Sequence, residues 1–272
     1  MPTPDNNSPQ LKQNLKNMWM SGDFGKVAAM SAKEAEHFVS RLNIPRGAKV
    51  LDAACGTGNL AIPAARTGAQ VTGVDIATNL LEQARERAAK ENLQIKFDEG
   101  DAENLPYADG SFDVVMTMFG AIFAPNPEKT ARELVRVCKP GGTIAMANWR
   151  PDGLVAHTFH VTSRHSPPPP GGISPLLWGD ENVVRERFGS SVSGIEMTRR
   201  SVEFRYPFSP KGVVQFFREY FGPSAAAFAR LDAKGQEALA ADLEAAWAQF
   251  NRSQGDETVV PVDYLEVVAT KA

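Results

Sequence analysis

Cysteine is almost missing from this chain: Cys55 and Cys138 are the only two in 272 residues. That excludes a disulfide framework and a thiolate metal cluster, and a thiol-based metalloid mechanism would need more. Both read as small buried or loop residues in a reducing compartment. Histidine is nearly as scarce, with four copies, so candidate catalytic bases are few. Excess charge of one sign is also lacking. Twenty-nine Lys and Arg face 32 Asp and Glu, for a net charge of −3, with no basic tail or arginine block. No nucleic-acid partner is expected from that pattern. There is no long apolar run and no leader of the secretory type, so the expectation is a cytoplasmic protein without a membrane partner. Residues 1–10 are polar and carry prolines, and they read as a disordered tail.

What the chain does have is a glycine turn behind an acid. The run Lys49-Val50-Leu51-Asp52-Ala53-Ala54-Cys55-Gly56-Thr57-Gly58-Asn59 reads as a short buried strand closing on Asp52. A helix over 60–66 follows. Gly56 and Gly58 permit backbone angles closed to other residues and let a ligand approach the main chain. Gly56-Thr57-Gly58-Asn59-Leu60-Ala61 also satisfies a dinucleotide fingerprint. By itself the run is equally a strand-to-helix turn with no ligand.

The segments that follow repeat the device. Gln70-Val71-Thr72-Gly73-Val74-Asp75 is a second apolar strand ending in an acid. An amphipathic helix through Leu80, Leu81, Ala84 and Ala88 follows it. A third strand over 95–102 has Asp101-Ala102 at its tip, and a fourth covers 111–118. A helix over 127–137 leads through Lys139-Pro140-Gly141-Gly142 into a fifth strand over 143–149. Strands alternating with helices imply parallel βαβ units, in which ligands sit outside the carboxyl ends of the strands. Asp52, Asp75 and Asp101 each close a successive strand. One Asp after a strand is an ordinary turn residue; three in succession point to one shared site.

On these residues the chain resembles the class I S-adenosylmethionine-dependent methyltransferases, in the style of the quinone-biosynthesis C-methyltransferases. The first motif is matched by Val50 to Gly58, the second-strand acid by Asp75, and the Gly-Asp-Ala-Glu segment by Gly100-Asp101-Ala102-Glu103. Phe112-Asp113-Val114-Val115 and Pro140-Gly141-Gly142 complete the series. The resemblance covers about the first 150 residues well and the rest loosely. It implies a Rossmann-like, doubly wound α/β sheet of seven strands with an antiparallel last strand, an N-terminal helical lid and a helical insertion before the last strand. It also implies S-adenosyl-L-methionine as cofactor, with S-adenosyl-L-homocysteine as product. Asp52 would act through the glycine turn and waters on the methionine ammonium. The backbone of Ala54, Cys55, Gly56 and Gly58 would run beside that group. Asp75 would hold the ribose hydroxyls, Ile76 and Leu80 would pack on the adenine, and Asp101 with Ala102 would meet the adenine amine. Met118 would offer its carbonyl, and Trp19 would close over the methyl-transfer site. The family usually has glycine where this chain has Ala54. A dehydrogenase using NAD(P) explains the glycines and Asp75 but not Asp52 or the Asp101-Ala102 pair. A non-catalytic module that senses the same cofactor is the other alternative.

The flanks read as the acceptor's surroundings. Residues 11–45 form the lid, 46–150 the cofactor-binding core, and 151–272 the pocket helices plus strands completing the same sheet. The proline run within 166–172 is a stiff surface loop. Ser209-Pro210 starts a helix bearing Phe216, Phe217, Tyr220 and Phe221. An alanine-rich helix over 224–250 is expected to break near Gly235. Phe119, Phe123, Trp149, His157 and Tyr220 are the candidate pocket residues. No residue is assigned as catalytic and no metal is expected. The fourth strand is followed by Thr117-Met118-Phe119-Gly120, where enzymes acting on planar amides carry Asn/Asp-Pro-Pro-Tyr. That points to a small, apolar or aromatic methyl acceptor, with the atom methylated left open.

Overall fold

The computed structural model describes residues 8–168 and 172–272. The expected tail lies mostly outside these residues, as do Pro169 to Gly171 of the proline run. Its last positions are ordered: Ser8 caps α1 (Pro9–Met20) by accepting from the Leu11 N–H, and Pro9 opens the helix. The lid helix therefore begins two residues before the expected 11, because a serine cap followed by proline is a strong helix start. α2 (Phe24–Ala28) and α3 (Ala32–Arg41) complete the N-terminal segment.

The core then runs β1 (Lys49–Ala53), α4 (Ala61–Arg66), β2 (Gln70–Asp75), α5 (Thr78–Lys90), β3 (Lys96–Glu99), β4 (Phe112–Met118), α6 (Pro127–Val137) and β5 (Cys138–Trp149). The remainder is α7 (Gly153–His165), α8 (Glu181–Phe188), β6 (Val192–Tyr206), α9 (Pro210–Tyr220), α10 (Gly222–Ala229), α11 (Ala233–Phe250) and β7 (Thr258–Lys271). Several boundaries differ from the sequence reading. β3 ends at Glu99 and not at the expected 102, so Asp101 and Ala102 lie past the strand. β5 begins at Cys138 because the Pro-Gly-Gly stretch stays in the strand, with a register shift against β4 between Phe112 and Val114. The alanine-rich stretch breaks at residues 230–232, ahead of Gly235. Asp232 caps α11 there by accepting from the Gly235 N–H at 2.7 Å, so Gly235 lies in the first turn of a new helix.

The sheet order is β3-β2-β1-β4-β5-β7-β6, with β7 antiparallel to both its neighbours. Alternation along each strand divides the core. Val50, Met116 and Ala145 face α3, α4 and α5, whereas Leu51, Val115 and Ile144 face α6, α8 and Trp178. A third cluster joins α7, α9, α10 and α11 to the outer halves of β6 and β7 through Phe204, Tyr206, Val260 and Val262. Trp149, at the end of β5, packs against all three. No helix among the described residues is long and apolar enough to cross a membrane.

The β5 terminus depends on one close approach. Gly179 ends a 3-10 turn (Pro175–Gly179), and a Cβ there would overlap the Trp149 carbonyl and the Arg150 backbone. Gly179→Ala is expected to destabilise the fold by ~1–3 kcal/mol, the usual cost of overpacking. Gly194→Ala, whose Cβ would meet open space, is the matched control in thermal unfolding.

Candidate active site

β1 is the topological switch: the chain leaves it toward β2 and β3, then returns on its other side as β4. The cleft at the carboxyl ends of β1 and β4 is where a doubly wound sheet accepts ligands. Two buried carboxylates hold the glycine turn at that point. Asp52 accepts from the Ala61 N–H at 2.9 Å, tying the end of β1 to the start of α4. Asp75 accepts from Gly56 N–H and from Ala77 N–H, both at 2.8 Å, so the tip of β2 grips the turn and the approach to α5. Burial pushes both carboxyls above their usual range, and Asp75 raises Asp52 further. Gly56 has φ +51° and a Cβ there would meet nothing within 4 Å, so the turn presents bare backbone to the cleft. The Cys55 thiol points the other way, into the core beside Gly73 and Phe97. Only its backbone is available to a ligand.

Sequence reasoning missed Arg87. It donates to Thr57 O at 2.7 Å and Asn59 Oδ1 at 2.8 Å, bracing the turn from α5. Nothing local marks it; only the packing of α5 on the turn brings it there.

The opposite lip is strained. Ala54 (φ +55°) and Phe119 (φ +57°) both occupy the left-handed region, which costs a non-glycine residue about 1–2 kcal/mol. They are adjacent in space: a Cβ on Gly120 would overlap the Ala54 carbonyl and stand 2.9 Å from its Cβ. Strain of this kind persists where surrounding structure over-determines it, often at binding sites. The Phe119 ring lies flat on Trp149, with centroids 3.4 Å apart and planes 6° from parallel, and meets Tyr264 edge-on. Met118 is half-buried beside it.

Along β2 and β3, Ile76 is half-buried and Leu80 is buried within α5. Asp101 and Ala102 are half-buried past the tip of β3. Asp101 accepts from the Glu103 N–H at 2.9 Å and pairs with Lys12 of α1 at 2.9 Å.

Five rings converge beyond Phe119. Trp19 meets Phe24 at 5.5 Å, Phe123 at 5.1 Å and Phe221 at 5.8 Å, and Phe123 stacks on Phe159 at 6.3 Å. Trp19 therefore belongs to this ring cluster, beside Phe123. Two expected pocket residues turn elsewhere. Tyr220 packs on Phe216 and under the Lys26 ammonium, and its neighbour Phe221 takes the inward place. His157 faces Phe250 of α11, while Phe159, two residues and about 200° further round α7, faces Phe123. Helical phase places Phe221 and Phe159, and not Tyr220 and His157, in the ring cluster. His165 pairs with Asp242 at 2.7 Å and His37 with Glu34 at 3.4 Å.

These residues fit a cationic, adenosine-bearing group. The turn offers open backbone beside Gly56, and the two buried carboxylates next to it are held by backbone N–H groups, with no cationic side chain paired to either among the described residues. A cationic ligand would offset their burial.

A methyltransferase-domain family model matches residues 50–142. An uncharacterized protein of Mycobacterium tuberculosis is 33% identical over 99% of this chain and 98% of its own length. Demethylmenaquinone methyltransferase of Staphylococcus epidermidis is 40% identical over 113 residues, covering 40% of this chain and 46% of that one. Among solved structures, the YcgJ protein of Bacillus subtilis superposes with a TM-score of 0.61 at 18% identity, covering 88% of this chain and 98% of the other.

The carboxyl shifts set a pH dependence. A carboxyl raised on folding is protonated more in the folded than in the unfolded chain, so stability falls as pH rises from its ordinary value, 3.8, through the raised one. Each such group contributes a slope of up to ~1.4 kcal/mol per pH unit in that window. Asp52→Asn is expected to flatten the curve by about one proton, read by denaturant unfolding at several pH values.

Proposed function

We propose that this chain, which carries a methyltransferase domain over residues 50–142, is a class I S-adenosylmethionine-dependent methyltransferase that transfers the methyl group to a small, apolar or aromatic acceptor held under Trp19. S-adenosylmethionine supplies the reactive methyl on a sulfonium. The observation that carries the acceptor class is the convergence of Trp19, Phe123, Phe159 and Phe221 beside the strained Phe119 turn.

In this reading the cleft has two ends. At the cofactor end, Asp75 accepts the ribose hydroxyls, and the backbone of Ala54, Gly56 and Gly58 lies along the methionine portion. Asp52 acts indirectly, by holding the turn and supplying negative charge beneath the ammonium. Met118 offers its carbonyl to that ammonium, Asp101 meets the adenine amine, and Ile76 forms the adenine wall. At the acceptor end the rings exclude water and orient an apolar molecule. Holding nucleophile, methyl and leaving sulfur in line can supply ~7–11 kcal/mol of the barrier, so no dedicated base is required for an acceptor already deprotonated. The same proposal places the enzyme in the cytoplasm, where its two free thiols stay reduced.

Thermal-shift titration tests the cofactor end first. S-adenosylhomocysteine at 100 times its dissociation constant should stabilise the protein by ~2.7 kcal/mol, and NAD(P)H should not. Asp75→Ala removes a charged acceptor for two hydroxyls, each worth ~1.5–3 kcal/mol, and should weaken S-adenosylhomocysteine at least tenfold. Near-normal affinity would sink the ribose assignment. Phe221→Ala should alter acceptor selectivity while changing cofactor affinity less than threefold; the opposite pattern would move that ring to the cofactor end.

A further inference from the structure

The N-terminal helix crosses the cleft with one face. Lys12, Lys16 and Trp19 stand at i, i+4 and i+7 on α1, a single stripe about 10 Å long. Each reaches a different point on the rim. Lys12 Nζ contacts Asp101 Oδ2 at 2.9 Å and Glu103 Oε2 at 2.7 Å. Lys16 Nζ meets Glu99 at the end of β3, and Trp19 meets Phe123 at 5.1 Å. The far end of α1 is clasped by the insertion. A Cβ on Gly22 (φ +75°) would stand 2.9 Å from the Glu219 and Tyr220 carbonyls, and one on Gly222 would overlap the Met18 carbonyl.

The two partners of Lys12 are unequal. Glu103 is fully buried, and its other oxygen accepts from the Asn126 N–H at 2.8 Å, fixing it to the cap of α6. Without Lys12 it is left with a buried, uncompensated charge. The Asp101 side chain is 30% exposed, so water can replace that contact at little cost. Neither contact of Lys12 is a well-aligned hydrogen bond; both are ionic. The ammonium is thus anchored on Glu103 and can release Asp101.

Resting on the cofactor reading of this cleft, we propose that Lys12 is a positioning residue that retains the cofactor. Its ion pair with Glu103 clamps α1 over the adenosine end, while its contact with Asp101 is exchanged for the adenine amine when cofactor enters. Lys12 holds the Asp101 carboxylate ready before binding and keeps the roof shut afterwards.

The test is the dissociation rate of S-adenosylhomocysteine from the full-length protein, followed by tryptophan fluorescence in a stopped-flow instrument. Lys12→Met is expected to raise that rate at least tenfold, and Lys12→Arg to restore it to within about threefold of wild type. Glu103→Gln should match Lys12→Met, and the double variant should add nothing further, as for two halves of one contact. A lower melting temperature with an unchanged dissociation rate would show a purely structural lysine and overturn the inference. Should Lys12→Met fail to fold, trypsin digestion of wild type decides: S-adenosylhomocysteine should protect the bonds after Lys12 and Lys16, and equal cleavage with and without it would overturn the inference. Failure of wild type to bind S-adenosylhomocysteine would overturn the cofactor reading and this inference together; binding with unaltered rates in the variants overturns the inference alone.

Discussion

The site hangs on a glycine turn strung between two buried carboxylates. Asp52 accepts from the backbone at the start of α4, and Asp75 accepts from Gly56 in the turn itself. Buried acids are costly unless something satisfies them, and here the backbone N–H groups of the turn do part of that work. The consequence is a loop held both by the strand tips and by its own backbone bond from the Gly58 N–H to the Cys55 carbonyl. Arg87 adds the third brace from α5. The electrostatic cost left over, visible in the raised carboxyls, is what a cationic ligand relieves.

Across the cleft the constraint is steric. Ala54 and Phe119 share a left-handed geometry, and Gly120 gives Ala54 the space its methyl and carbonyl occupy. Phe119 in turn lies flat on Trp149, which joins the three core clusters. The strained turn is therefore supported by the whole of the β5 terminus, and the aromatic wall is built outward from it. α1 and the insertion meet at Gly22 and Gly222, where a Cβ would press on the facing backbone.

The sequence reading held best where function and fold share local chemistry. Asp52, Gly56 and Asp75 were legible because a strand, an acid and a glycine turn are contiguous in sequence and their spacing sets the register. The start of α9 was legible from Ser209-Pro210, and the Ser209 side chain indeed accepts from the Gly212 N–H of the helix it opens. Other features were not. β5 takes in the Pro-Gly-Gly stretch as an irregularity in its pairing with β4, flanked by Cys138 against Phe112 and Thr143 against Val114. Phe221 and Phe159, and not Tyr220 and His157, join the ring cluster around Trp19 and Phe123 because helical phase is decided by docking, and each stretch carries apolar residues on more than one face.

From the sequence alone came the parallel βαβ series, the acids at its strand ends and the methyltransferase resemblance. These depend on short-range order: periodicity, caps, turns and motif spacing. Tertiary structure alone decided which rings meet, that Arg87 braces the turn, that Gly120 makes room for Ala54, and that Lys12 joins Asp101 and Glu103 across some ninety residues of chain. Those contacts bring together residues far apart in sequence, and no local propensity encodes which distant partner a side chain will find once the core has packed.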